Sequence, residues 1–157
     1  MIKSLYFASP FFTPEQVERE ERLKAKLREL GFEVWSPKEM CHLNKNATIA
    51  EQTEVFNGNL SAMDKVDGVF VVTDGKDIGT IWEAGYAYAL GKPIIYYCET
   101  LGKNVFNVML ARSGKLVITN FDEIQFNTIS AADEVSTVYT GFIEWSCEKQ
   151  DLAIFSS

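Results

Sequence analysis

The chain of 157 residues has the length of a single domain, and its hydrophobic fraction of 46% is sufficient for a core without disulfides or metal. The formal net charge of -7 argues against a nucleic-acid backbone or an anionic membrane as the main partner. A nucleoside or a nucleotide is still compatible with this charge as a small ligand.

The cysteines and the histidine indicate neither a disulfide framework nor a metal site. Cys41, Cys98 and Cys147 are far apart and odd in number, so we expect reduced thiols, with Cys98 in the core at a strand end. His42 is the only histidine, and we expect it in a surface loop.

Targeting signals are not evident in the sequence. Every apolar run is shorter than the roughly 20 residues that cross a bilayer. The first five residues lead directly into a predicted strand and lack the pattern of a signal peptide. The expected compartment is therefore the cytoplasm, without a membrane partner.

Strand and helix patterns alternate along the chain. Short apolar runs predict five strands, and segments with helical spacing and start signals predict four helices between them. In chain order these are strand 2–8, helix 14–30, strand 32–35, helix 49–65, strand 68–73, helix 78–90, strand 94–98, a short helix near 104–111 and strand 116–119. The segment 38–48 is expected to be irregular, and the tail from residue 121 has no clear assignment.

Two of these helices carry specific signals. Thr13, Pro14 and Gln16 form the capping-box pattern of a helix start. The helix at 49–65 is expected to bury four apolar side chains, Val55, Phe56, Leu60 and Met63.

The alternation predicts an α/β fold: a single-domain, doubly wound sheet of five parallel strands flanked by helices, flavodoxin-like or Rossmann-like. The expected strand order is 2-1-3-4-5, which places the first and third strands side by side at the switch point. The loops after these strands then face one crevice, where ligands bind in such folds. The Gly-x-Gly-x-x-Gly and P-loop patterns are absent, which disfavours a classical dinucleotide or P-loop site.

Two carboxylates lie where the third strand leads into the next helix. Asp77 is placed to cap that helix and can also serve in a site. Glu83 either complements the helix dipole and faces solvent, or acts as a nucleophile or base in the crevice. Its apolar, small-residue helix favours the second interpretation, and Gly79 would let backbone or ligand come close.

Aromatic side chains follow the first strand and face the same crevice. The hydroxyl of Tyr6 needs a partner, and the crevice carboxylate is a natural one. Phe11 and Phe12 either cover the edge of the core or form a wall on which a flat ligand stacks. Asp74 is expected to face solvent in a turn with Gly75.

Five short motifs resemble, in order, those of the nucleoside 2-deoxyribosyltransferases. They are the stretches 5–12, 56–60, 77–87, 91–93 and 106–109, and the run from Gly79 to Gly85 is the most specific. The resemblance covers about residues 2 to 144. We therefore expect one domain over residues 1–144 and a C-terminal extension over residues 145–157.

The resemblance implies transfer of 2-deoxyribose between purine or pyrimidine bases by double displacement, without metal or cofactor. By this match, Glu83 is the nucleophile that forms a covalent deoxyribosyl-enzyme, Tyr6 holds its orientation, and Asp77 lies in the sugar and base pocket. The partners would be a nucleoside and a free base in nucleoside salvage.

The same match implies further binding residues and an assembly. Phe11 and Phe12 correspond to an aromatic wall. Asn107 and Met109 correspond to residues that reach a neighbouring subunit's site and help to hold the sugar 5-hydroxyl. The family assembles as hexamers built from dimers, so a homo-oligomer is implied.

Two features depart from the family pattern. Asn59 stands where the family commonly has an aspartate that contacts the base and is a proposed proton donor. A carboxamide can hydrogen-bond a base edge but cannot be a general acid, so protonation of the leaving base falls to Asp77, to water or to no group at all. The chain also continues beyond the Tyr139–Gly141 stretch near which family members often end.

Three functions are open at this point. The first is a 2-deoxyribosyltransferase. The second is an N-glycoside hydrolase of deoxynucleosides or their 5-monophosphates, with water replacing the acceptor base. The third is a non-catalytic nucleotide-binding module, because a fold does not fix a function.

Overall fold

The computed structural model describes residues 1–41, 43–134 and 138–143, which are built around a five-stranded sheet. The strands are β1 (Ser4–Ala8), β2 (Glu33–Trp35), β3 (Gly68–Val72), β4 (Ile94–Tyr97) and β5 (Leu116–Ile118). They pair in parallel in the order β2-β1-β3-β4-β5, which confirms the predicted fold. His42, Cys147 and the expected extension 145–157 lie outside the described residues.

Helices flank the sheet. They are α1 (Pro14–Glu29), α2 (Pro37–Met40), α3 (Ile49–Lys65), α4 (Ile78–Ala89), α5 (Val108–Ser113) and α6 (Phe126–Ser130), with a 3-10 turn at Phe121–Glu123. None of these described helices is long and apolar enough to cross a membrane.

Helix starts follow their capping residues. Thr13 accepts a hydrogen bond from the Gln16 N–H, and the Gln16 side chain accepts one from the Thr13 N–H, so the predicted capping box at α1 is confirmed. The short helix α5 begins later than predicted because Asn107 caps it, accepting from the N–H groups of Met109 and Leu110. The segment expected to be irregular contains α2, for which Pro37 supplies the first helical residue.

The core has one layer on each face of the sheet. The first layer packs Phe7 and Phe70 against Leu23 of α1, and the two phenyl rings stack with centroids 5.5 Å apart. The second layer packs β3 and β4 against Met63 of α3 and Ala84 of α4. Because β3 is buried on both faces, its sequence is apolar throughout.

Predictions of side-chain burial were correct in part. Cys98 is buried directly after β4, as predicted, and Met63 is fully buried. Phe56 is 48% exposed, so its expected place in the core is wrong. Its ring lies instead against Trp82 of α4, with centroids 5.5 Å apart.

Asp74 is buried, and the expectation that it faces solvent is wrong. Its carboxylate accepts hydrogen bonds from the backbone N–H groups of Glu99, at 3.2 Å, and Thr100, at 2.8 Å. The predicted turn does form, with Gly75 at φ +84° and Lys76 at φ +51°. Asp74 therefore joins the carboxyl ends of β3 and β4, since it satisfies two amides that the sheet leaves without strand partners.

Glu99, beside this junction, binds helix α1 to the sheet. Its carboxylate accepts from Arg19 Nε at 2.6 Å and from Arg22 Nη2 at 2.7 Å. Although burial opposes ionisation, these hydrogen bonds and that from the Tyr97 hydroxyl lower the pKa of Glu99 to about 2. The loop after β4 is therefore held by charged contacts at neutral pH.

The segment 138–143 returns to the loop before α5. The Phe106 N–H donates to the Phe142 carbonyl at 2.8 Å, and Phe106 forms a parallel bridge with Ile143. The ring of Tyr139 packs on Phe106 with centroids 5.4 Å apart. These contacts hold the end of the described chain against the entrance to α5.

Replacement of Asp74 tests its structural role. We expect Asp74→Ala to lower the free energy of unfolding by about 2–3 kcal/mol, because two amides lose their acceptor in a buried position. Urea unfolding followed by circular dichroism measures this loss. Asp64→Ala, at an exposed site on α3, is the control, and equal stability of the two variants would contradict the role.

Candidate active site

Tyr6 and Glu83 meet at the crevice beside the switch point. Tyr6 is fully buried in β1, which pairs with β3 there. Its hydroxyl donates a hydrogen bond of 2.6 Å to Oε1 of Glu83, in the second turn of α4. The partner predicted for Tyr6 is confirmed. The bond engages one carboxylate oxygen and thereby orients the other.

Asp77 caps the helix that carries Glu83. Its Oδ2 accepts from the Thr80 N–H at 2.8 Å and from the Thr80 hydroxyl at 2.9 Å, so the predicted cap is confirmed. A Cβ atom at Gly79 would lie 3.3 Å from the same Oδ2. Glycine therefore leaves room for the carboxylate to bend over the first turn of α4.

Burial and a nearby negative charge raise the pKa of the Glu83 carboxyl. Burial raises its pKa to about 7, helped by the nearby charge of Asp77 and opposed by the hydrogen bond from Tyr6. The pKa of Tyr6 is also raised, first by burial and then by the charge of Glu83. The tyrosine therefore remains a hydrogen-bond donor at neutral pH, while Glu83 exchanges its proton near pH 7. A perturbed acid in a cleft is typical of a functional site.

Glu83 faces a cavity of about 360 Å³ between α3 and α4. Its wall is formed by one face of each helix: Phe56, Asn59, Leu60 and Met63 on α3, and Gly79, Trp82 and Glu83 on α4. Three of the predicted site residues, Asn59, Gly79 and Glu83, are thus brought to one cavity. Among the described residues, no cluster of His, Cys, Asp and Glu is arranged to hold a metal ion.

Phe11 and Phe12 lie next to each other in the loop between β1 and α1. Their ring centroids are 5.1 Å apart. Phe12 is 72% exposed and does not cover the core edge, whereas Phe11 is half-buried. The stacking of a ligand on these rings stays a prediction.

Asn107 and Met109 lie on another side of α4. They line a second cavity of about 310 Å³ together with Lys76 and Ile81. Ile81 lies opposite the helix face that carries Gly79 and Glu83, because residues two apart on a helix differ by about 200°. The fold of one chain therefore does not bring Asn107 and Met109 to the Glu83 cavity, and Met109 is 74% exposed.

Trp82 is a wall residue that the sequence reasoning missed. Its ring stacks on Tyr86 with centroids 5.7 Å apart and planes 7° apart, and it also contacts Phe56. The available signal was its place directly before Glu83. Leu60 and Met63 were assigned to the core, although they also line the cavity.

A half-buried carboxylate at the switch point of a doubly wound sheet is the kind of site that enzymes of this architecture use. The family model for nucleoside 2-deoxyribosyltransferase matches residues 5–125, and the chain belongs to this family. Membership indicates activity of the nucleoside deoxyribosyltransferase kind.

Solved structures agree with this assignment. A 2-deoxyribosyltransferase from the psychrotolerant bacterium Bacillus psychrosaccharolyticus is 28% identical with a TM-score of 0.72, over 87% of this chain and 98% of that chain. A conserved protein from Enterococcus faecalis V583 is 18% identical with a TM-score of 0.58, over 97% and 95% of the two chains, and supports the fold alone. No curated protein matches the chain.

The raised pKa of Glu83 predicts a pH-dependent effect on stability. The native chain keeps a proton on Glu83 between the ordinary value of 4.5 and about 7, while the unfolded chain has lost it, so this contribution to stability disappears as pH rises through that window. We expect Glu83→Gln to be about 1–3 kcal/mol more stable than wild type at pH 8 and nearly equal to it at pH 4.5.

Urea unfolding at both pH values measures this difference. Glu54→Gln, at an exposed position on α3, is the control and is expected to show no such change. A Glu83→Gln difference that is the same at pH 4.5 and pH 8 would show that burial does not raise the pKa of Glu83.

Proposed function

We propose that the protein transfers 2-deoxyribose between purine or pyrimidine bases through a covalent deoxyribosyl-Glu83 intermediate. The observation that carries the proposal is the Glu83 carboxylate, half-buried, held by Tyr6 at 2.6 Å and facing a cavity, in a chain of this family. The relative from Bacillus psychrosaccharolyticus supports it as a 2-deoxyribosyltransferase. The proposal includes a role in nucleoside salvage in the cytoplasm.

The reaction has two displacements at the anomeric carbon. A Glu83 oxygen forms an ester bond to that carbon while the bond to the base nitrogen breaks, and the base leaves with the electron pair and takes up a proton. A nitrogen of the acceptor base then attacks the same carbon, loses its proton and releases the carboxylate, with net retention. Because 2-deoxyribose lacks the electron-withdrawing 2-hydroxyl, its oxocarbenium-like transition state forms readily, and no cofactor is needed.

Tyr6 and Asp77 act on Glu83 in opposite directions. The hydrogen bond from Tyr6 favours the ionised form, which is the nucleophile. The negative charge of Asp77 favours the protonated form of Glu83. Oδ2 of Asp77 accepts a hydrogen bond from the Thr80 N–H. The second oxygen of Asp77 is then the one that can contact sugar or base, or pass a proton to the leaving base.

The remaining binding residues complete the site in an assembly. Phe11 and Phe12 would form an aromatic wall, and Gly79 would let the sugar approach the first turn of α4. Asn107 and Met109 would serve the site of a neighbouring subunit, which agrees with their place in a different cavity from Glu83 and with the exposure of Met109. The proposal therefore includes a homo-oligomer, which the family resemblance implies is built from dimers.

The decisive experiment supplies deoxyinosine with and without free adenine or cytosine and follows the bases by chromatography. New deoxynucleoside formed only with an acceptor supports the transferase. Release of hypoxanthine without an acceptor would instead identify a hydrolase. No turnover across deoxynucleosides and their 5-monophosphates would refute both.

Removal of the nucleophile is the first mechanistic test. We expect Glu83→Gln to lose at least about a thousandfold in kcat, because the ester cannot form. Mass spectrometry of wild type with donor alone should show one added 2-deoxyribosyl group, absent from the variant. Glu54→Gln should keep wild-type activity, and near-normal turnover by Glu83→Gln would refute the covalent mechanism.

Removal of the Tyr6 hydroxyl is the second test. The hydrogen bond lowers the pKa of Glu83, so Tyr6→Phe should move the acid limb of the kcat/KM profile from about pH 7 to higher pH. The orientation of the nucleophile is also lost, and we expect kcat at the optimum to fall about 10- to 100-fold. An acid limb at unchanged pH would contradict the coupling between Tyr6 and Glu83.

A further inference from the structure

Thr80 is a buried polar side chain whose hydroxyl is directed at a residue of the candidate site. Other buried polar side chains of the described chain, such as Glu20, Lys24 and Asp74, hold α1 to α2 or β3 to the loop after β4. The Thr80 hydroxyl instead donates a hydrogen bond of 2.9 Å to Oδ2 of Asp77. Thr80 therefore acts on a carboxylate that influences Glu83.

The cap of α4 does not require this hydroxyl. The Thr80 N–H already donates to Oδ2 of Asp77 at 2.8 Å, which is the hydrogen bond of an ordinary N-cap. The hydroxyl adds a second donor to the same oxygen. Because donors prefer to lie near the plane of the carboxylate, two donors on one oxygen fix the orientation of that plane. The other oxygen of Asp77 then has a set direction, and it accepts no hydrogen bond from the described residues.

The position of the Asp77 charge matters for the ionisation of Glu83. Burial raises the pKa of Glu83, the hydrogen bond from Tyr6 lowers it, and the charge of Asp77 raises it further. The pKa of Tyr6 is itself raised by burial and by Glu83, with a smaller contribution from Cys41. From α3, Asn59 lines the same cavity with a buried Oδ1 that lacks a partner among the described residues, but its carboxamide carries no charge. The charge that opposes Tyr6 therefore comes from Asp77.

We propose that Thr80 is a positioning residue: its hydroxyl holds the Asp77 carboxylate against the first turn of α4 and so keeps a negative charge beside the Glu83 nucleophile. This inference rests on the proposed function, since it takes Glu83 as the nucleophile. A second negative charge disfavours the free carboxylate of Glu83, and the repulsion disappears when Glu83 becomes a neutral ester. The same charge stabilises the positive charge of an oxocarbenium-like transition state. Both effects favour transfer of the sugar to Glu83.

Carbon-13 NMR titration of the Glu83 side-chain carboxyl tests the proposal without substrate. The signal is assigned by its absence from Glu83→Gln, and in the wild-type protein it should titrate near pH 7. Thr80→Val replaces the hydroxyl by a methyl group of similar size and keeps the capping N–H. Because the Asp77 carboxylate is then held less closely, the acid dissociation constant of Glu83 should become about 3- to 10-fold larger.

Further variants show whether the hydroxyl acts through Asp77. Thr80→Ser keeps the hydroxyl and should titrate like wild type. Asp77→Asn removes the charge but keeps an acceptor, so Glu83 should titrate at lower pH, and the addition of Thr80→Val should cause no further change. The control is Thr53→Val, on the exposed face of α3, where the hydroxyl donates to the Ile49 carbonyl. It should leave the titration of Glu83 unchanged.

Turnover supplies an independent measurement. In Thr80→Val the acid limb of the kcat/KM profile should move to lower pH, opposite to the change expected for Tyr6→Phe, and kcat at the optimum should fall about 3- to 30-fold. Thr80→Ser should recover the wild-type profile. A hydroxyl that served only the helix cap would change the free energy of unfolding and leave the acid limb in place.

The outcomes separate the role of Thr80 from the proposed function. An unchanged titration of Glu83 in Thr80→Val or in Asp77→Asn overturns the inference even if deoxynucleosides are turned over. An equal effect of Thr80→Val with and without the Asp77 charge also overturns it. A shifted titration that Thr80→Ser restores, without turnover of any deoxynucleoside, supports the coupling of Thr80, Asp77 and Glu83 and refutes the transferase. The same shift with turnover supports both.

Discussion

The hydrogen bond between Tyr6 and Glu83 is the contact on which the site depends. It joins the first strand to the helix after the third strand, so it can form only when β1 and β3 are neighbours. It also compensates in part for the burial of a carboxyl whose pKa rises to about 7. Without this donor, the burial of Glu83 would favour the neutral acid further, and a neutral acid is a poor nucleophile.

The carboxylate at the start of α4 both caps the helix and raises the pKa of Glu83. Asp77 accepts from the backbone N–H of Thr80 in the first turn, and its charge simultaneously disfavours ionisation of Glu83. The protein therefore keeps two carboxylates on one short helix at a cost in stability, as functional sites commonly do. Gly79 eases the arrangement, because a Cβ atom there would lie 3.3 Å from the capping carboxylate oxygen.

Helix α4 also divides the ligand-binding surface. Glu83 and Asn59 share one cavity, while Asn107 and Met109 line another around Ile81. A single chain thus separates residues that the family resemblance assigns to one reaction.

The sequence by itself determined the caps at Thr13 and Asp77 and the identity of Glu83 as the candidate nucleophile, because capping and short motifs are local signals. The strand order was predictable because five alternating strands and helices favour one arrangement of a doubly wound sheet. Only the tertiary structure decided that Asp74 is buried, since its partners are backbone amides 25 and 26 residues later. The exposure of Phe56 and the unsatisfied oxygen of Asn59 were likewise decided by the packing of α3 against α4. Burial and pairing depend on distant segments, and no local pattern records them.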